Sequence, residues 1–179
     1  MAAFLKTQQP WILAIIGVWV VHFFAFPFLD AYYASILMYA GINMILAVSV
    51  ILVNGFTGQF SIGHAGFMAV GGYVSAFLTL WSRDHFGEVF APPLLQRPIF
   101  LVALFAGGVV ASAVGYLVGL PSLRLKGDYL AIVTLGFGEI IRVIILNMNS
   151  IGGARGLPDI PNLTSFGLLF SFVVFTVFM

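Results

Sequence analysis

The chain contains no cysteine, which excludes disulfides, thiol nucleophiles and zinc–thiolate centres. Charge is nearly as scarce. Only 7% of the 179 residues are Asp, Glu, Lys or Arg, against about 25% in a soluble domain, too few to coat a water-facing surface. A formal net charge of +1 argues against a broad electrostatic grip on nucleic acid. The apolar runs do not alternate with period two, so they do not read as transmembrane β-strands. What is left is a chain that is 61% hydrophobic and must satisfy its own backbone hydrogen bonds in lipid, which means helices.

About 20 apolar residues span the hydrocarbon core, and the sequence offers several such runs. They lie at about 11–29, 32–53, 65–81, 100–120 and 129–148, with a sixth from 166 to 179. That last run makes only about 21 Å of helix at 1.5 Å per residue, so the chain reads as the N-terminal part of a single, longer transmembrane domain. The first run follows Lys6, as a signal peptide would. It is too long and too rich in Trp and Phe, however, and it ends at Pro27 and Asp30 without a small-residue cleavage site. It reads as a retained helix. Charges and prolines collect in 82–98, "SRDHFGEVFAPPLLQRP", and in the basic "PSLRLKGD" of 121–128. With the N-terminus cytoplasmic, Arg124 and Lys126 fall inside, in line with the positive-inside rule, whereas Arg83, Arg97 and Arg155 fall outside, against it.

Two spans carry internal patterns. In the fourth, Gly107, Ala111, Gly115 and Gly119 recur every four residues and line one helix face, the arrangement that lets a neighbouring helix approach closely. In the fifth, Glu139 and Arg142 are three residues apart and can pair on one face. At about 100° per residue, Asp128, Glu139, Arg142 and Asn149 all fall within about 80° of one another. Lipid penalises such a stripe, so it should face the protein interior or a water-filled path. It is either an internal ion pair that locks packing, a lining or gate of a pathway, or an interfacial pair that snorkels.

Between the second and third spans stands "NGFTGQFSIGHAGF" (54–67), with four glycines and several hydrogen-bonding side chains. Ser61 is the expected N-cap of the helix that resumes near Ile62. Asn54, Gln59, Ser61 and His64 are candidates to line a solute path, since transporters place broken helices where exposed backbone and helix ends meet solute. The alternative is an ordinary connecting loop with His64 satisfied by a local hydrogen bond. Asn43, in the second span, reads as a helix–helix hydrogen bond. His64 has no Cys, His or acidic neighbours, so no metal site is expected. "GGARG" (152–156) lacks the preceding strand and the Lys-Ser/Thr pair of a phosphate-binding loop. No catalytic constellation appears, and no enzyme is expected.

Two segments together resemble a known family. "GFTGQFSIGHAGFMAVGGYVSAFL" (55–78) is similar to the signature of the LivM/LivH-type permeases of branched-chain amino-acid ABC transporters. "LPSLRLKGDYLAIVTLGFGEIIRVIILNMNSIGGARGLPDIP" (120–161) resembles the second signature, of the LivM branch. The pair covers a little over a third of the chain, in the family's order and spacing. The resemblance implies a multi-pass permease of the bacterial inner membrane with no cofactor of its own. Its expected partners are a LivH-like second permease, two cytoplasmic ATPase subunits holding ATP and Mg, and a periplasmic or lipid-anchored solute-binding protein. Leucine, isoleucine and valine are the expected cargo, with urea and short amides carried by relatives, and alternating access is the expected mechanism. The sequence ends before the later cytoplasmic loop through which such permeases contact their ATPases. Taken from the residues alone, an ion-coupled transporter or channel, or a membrane scaffold, also uses broken helices and buried charges. The expected fold is therefore an all-α, polytopic helical bundle with a broken or re-entrant segment near 54–64.

Overall fold

The computed structural model of the protein describes residues 2–24, 28–56, 58, 61–85, 93–122, 124–125 and 127–178, with the side chains of 2–12 and 93–95 outside that description. Six helices follow in order: α1 (Ala2–Phe24), α2 (Ala31–Ile51), α3 (His64–His85), α4 (Pro93–Ser122), α5 (Asp128–Asn147) and α6 (Phe166–Phe178). No strand occurs among the described residues, and the all-α polytopic architecture expected from the sequence is the one observed. Four stretches are long and apolar enough to cross a membrane: Ala31–Phe56, His64–His85, Gln96–Ser122 and Asp128–Asn147. Helix α4 starts at Pro93, earlier than the apolar run at 100 suggests. Proline is tolerated at a first helical position because the amide it lacks would have no partner there.

The helices group into two compact units, residues 1–52 with 164–179, and residues 53–163. In the first, α6 packs on α1 and on α2. Gly41 of α2 is buried where a Cβ would lie 3.0 Å from Leu169 Cδ2. The Phe166 ring stacks on His22, with centroids 6.3 Å apart and planes 11° from parallel. Asn43 does not bridge helices as expected. Its Nδ2 donates to the Tyr39 carbonyl of its own helix at 2.9 Å, because one turn back is the nearest acceptor a short amide can reach.

In the second unit α3 packs most extensively along α4, and α5 lies against both. Lipid supplies no hydrophobic drive for these seams, so van der Waals packing must hold them. The α3–α4 seam closes at glycine. A Cβ on Gly107 would lie 2.5 Å from the Gly71 carbonyl oxygen, and one on Gly71 would lie 3.5 Å from Ala111 Cβ. The four-residue stripe is only half used. Nothing among the described residues lies within 4 Å of a Cβ built at Gly115 or Gly119, so within this chain the close contact is made at Gly107 and Ala111. Helices that touch at one point and cross diverge beyond it. Hydroxyls in these spans bond back to their own helix, as Thr79 Oγ1 does to Ser75 O at 2.8 Å and Ser122 Oγ to Val118 O at 2.7 Å. That satisfies them without a partner from another helix.

The start of α3 meets α5 at a second glycine contact. A Cβ on Gly63 would lie 2.6 Å from the Thr134 carbonyl oxygen, and one on Gly66 would lie 2.9 Å from Gly138 Cα. Here the Ile62 amide donates to Thr134 Oγ1 at 3.2 Å, while that hydroxyl donates to the Ala131 carbonyl at 3.0 Å.

Two outcomes are expected. Gly107→Val should push α3 off α4 and lower stability in detergent by about 1–3 kcal/mol, whereas Gly115→Ala should leave thermal unfolding unchanged. Equal losses would show that the close approach at Gly107 is not what holds the seam. Thr134→Val should orphan the Ile62 amide at a cost of about 1–3 kcal/mol, read as faster hydrogen exchange in residues 61–66; unaltered exchange would refute that role for Thr134.

Candidate functional site

The site begins where helical structure stops. A π-helical turn over Leu52–Phe56 follows α2; such turns are rare and frequent at functional sites. The chain then passes through Gly58, with φ of 63°, in the left-handed region that glycine enters without strain. Asn54 braces the turn, its Oδ1 accepting the Ser61 amide at 3.3 Å. Ser61 is not the N-cap predicted from sequence. Helix α3 begins at His64 with Gly63 before it, which leaves Ser61 too far upstream for its hydroxyl to serve the first turn. The deep contact of Gly63 with α5, where a side chain would collide with Thr134, sets the helix start instead. Gln59 lies outside the described residues.

The depth of this break follows from α5. Thr134 and Gly138, which touch Gly63 and Gly66, are six and ten residues beyond Asp128, the first residue of α5. That places them about 9 and 15 Å along a helix whose 20 residues span about 30 Å. Residues 61–63 therefore sit beside α5 about a third of the way along this membrane-length helix, not beyond its end. Non-helical backbone is tolerated there only where it is buried in protein or lines a cavity.

It does line one. A recess of about 220 Å³ is bounded by Ile62, Gly63, Ala65, Gly66, Ala69 and Tyr73 on one side and by Leu135, Gly138, Glu139, Arg142, Ile145 and Leu146 of α5 on the other. Within it Arg142 Nη1 donates to Glu139 Oε2 at 3.1 Å. The pair predicted from the spacing is thus formed, with both side chains more than half exposed. Both partners belong to α5, so the pair does not tie α5 to another described helix. The broader polar stripe is shorter than helical geometry suggests, because α5 ends at Asn147 and Asn149 falls in the 3-10 turn beyond.

A second cavity, of about 630 Å³, lies where α5 ends, and Leu146 lines both. Asn149, Arg155 and the backbone of Gly152, Gly153 and Gly156 line it. Gly152 has φ of 82°, and a Cβ there would collide with the Gly156 carbonyl oxygen. Arg83, near the end of α3, donates from Nη1 to the Asp159 carbonyl at 3.0 Å and ties this loop to α3.

The two groups of candidates, the 54–64 side chains and the Glu139–Arg142 pair, take different places in the structure. Glu139 and Arg142 face the recess, whereas Asn54, Ser61 and His64 do not line it. The Nδ1 of His64 is buried without a hydrogen-bond partner among the described residues. Thr134, Gly138 and Tyr73 went unnoticed in the sequence. Only one signal was available for the first two: Thr134, Gly138, Ile141 and Ile145 share a face of α5, and the small Gly138 among them admits a close neighbour.

Comparison with known proteins places this architecture. Residues 32–179 match the family described as "Branched-chain amino acid transport system / permease component". The chain is similar to the "High-affinity branched-chain amino acid transport system permease protein LivM" of Escherichia coli (strain K12), with 43% identity over 131 residues, covering 73% of this chain and 28% of that protein. The protein of the same name from Salmonella typhimurium (strain LT2) matches with the same identity and coverage. The "Probable branched-chain amino acid transport permease protein LivM" of Methanocaldococcus jannaschii is 28% identical over 175 residues, 82% of this chain and 51% of that protein. The chain therefore spans only about a quarter to a half of these relatives' length. No solved structure gives a significant match. With four membrane-length helices and a family match over most of its residues, the chain belongs to the permease family of branched-chain amino acid transport systems and is a multi-pass protein of the inner membrane.

Proposed function

We propose that this chain forms part of the membrane-spanning permease subunit of an ATP-driven importer. It moves branched-chain amino acids, or a related small solute such as urea or an amide, across the cytoplasmic membrane by alternating access. The observation that carries the reading is the break at 61–63, held at the depth of Thr134 and Gly138 and opening on the Glu139–Arg142 recess. A broken helix beside an intramembrane charge pair is how transporters expose backbone groups to solute, and the family match supplies the transport class.

The chain holds no cofactor in this reading. ATP and Mg belong to two cytoplasmic ATPase subunits, a LivH-like permease completes the membrane part, and a periplasmic or lipid-anchored binding protein delivers the solute. Asn54 braces the break, while Gln59, Ser61 and His64 belong to the segment that forms the path. Alternating access then rocks the two permeases about this fixed break while the ATPases bind and hydrolyse ATP.

The full-length protein reconstituted with its ATPase, second permease and binding protein should take up leucine only when ATP is supplied. Uptake that follows an ion gradient without ATP would overturn the assignment. In the same system Gln59→Ala or Ser61→Ala should lower uptake roughly two- to tenfold, the worth of one hydrogen bond, with normal membrane insertion. Wild-type uptake in both would remove the 54–64 side chains from the path.

A further inference from the structure

The Glu139–Arg142 pair stands at an expensive place. Glu139 is eleven residues beyond Asp128 in a 20-residue helix, about 16 Å along it and near the middle of the span. A charged side chain at that depth must meet protein, water or a polar solute. The helices of this chain leave the two side chains 59% and 67% exposed, so whatever covers them is not α3 or α4. The recess beside them is concave and small, about 220 Å³. Leu146 lines both this recess and the larger cavity at the end of α5.

We propose that this recess binds the head group of an α-amino acid zwitterion, with Arg142 taking the carboxylate and Glu139 the ammonium. The inference rests on the transport reading above and names the feature of the solute that the permease itself recognises. The two side chains neutralise each other at 3.1 Å, so the pair leaves no bare charge in the membrane. A zwitterion enters by exchange of partners. The guanidinium fork moves from Glu139 to the solute carboxylate, a planar match it makes well, while Glu139 takes the ammonium. Pair and solute are each neutral, so no net charge is buried at any stage. The N-terminus of α3, at Gly63–Gly66 on the opposite wall, adds a partial positive charge on the side where a carboxylate is favoured. Ala69, Leu135 and Ile145 complete the wall and offer apolar surface to an alkyl side chain. The same recess has nothing to separate from an uncharged solute, so urea or an amide would leave the ion pair closed.

A charge swap tests this, because it preserves an internal pair but reverses what the recess presents. In the full assembly, Glu139→Arg combined with Arg142→Glu should be inserted at near wild-type abundance. Its ATP-dependent leucine uptake should nevertheless fall by roughly tenfold to a hundredfold, the worth of a charge-assisted hydrogen bond. Wild-type uptake by the swap would overturn the proposal and make the pair a structural or subunit-facing one. Should the swap not reach the membrane, Ala69→Phe fills the recess without touching the pair. Unchanged leucine uptake in that variant would equally overturn the proposal, and a loss of roughly tenfold at normal abundance would support it. ATP-dependent uptake by the wild-type assembly is measured alongside. Its absence would reject the transport reading itself, whereas its presence with an active swap would reject only the zwitterion site.

Discussion

Everything in the second unit depends on one constraint: a backbone amide taken out of a helix at membrane depth must find a partner that is neither water nor lipid. Thr134 supplies it to Ile62. The same hydroxyl gives its proton to the Ala131 carbonyl, so one side chain is used in both directions and neither group is left bare. Asn54 does the corresponding work for Ser61. Without such partners each exposed backbone group would cost several kcal/mol in hydrocarbon, and the chain would be driven to continue as helix through 54–63.

Proximity makes those hydrogen bonds possible, and glycine makes the proximity possible. Gly63 and Gly66 lie against Thr134 and Gly138 where a side chain would meet backbone atoms. Gly71 and Gly107 do the same between α3 and α4. In water such contacts would be supplementary to apolar burial. In lipid they replace it, because detached helices already have an apolar solvent and only closer packing distinguishes the assembled state. The family's glycine-rich segment therefore has two roles along its length. Gly58 turns the chain, and Gly63, Gly66 and Gly71 let α3 nest.

The charge pair follows from the same geometry. Since Gly63 and Gly66 press on the Gly138 side of α5, the adjoining positions 139 and 142 look past α3 into the recess beside it. The ion pair and the helix break are thereby neighbours, although more than seventy residues separate Asn54 from Glu139 in sequence. A helix terminus, an internally neutralised charge pair and a bounded space thus meet at one place in this chain.

Much was legible in the residues themselves. Scarce charge and long apolar runs required membrane helices, because no other structure satisfies a backbone in lipid, and the i, i+3 spacing of Glu139 and Arg142 required only a helix to bring them together. Gly107 could be read as a packing position from its period alone. Interactions between helices could not be read this way. Ser61 was legible as a cap by local chemistry, but the helix start is set by how deeply Gly63 nests against α5. Asn43 looked like a cross-helix donor, but its reach goes no further than Tyr39. Whether 54–64 is a surface loop or a break at depth depends on which part of α5 lies beside it, and Thr134 carries no local mark of that role. Sequence alone determined the material and the class of this protein, since both follow from composition and short-range periodicity. Tertiary structure alone decided where the site lies, since that depends on a contact across more than seventy residues that only the packing of α3 on α5 creates.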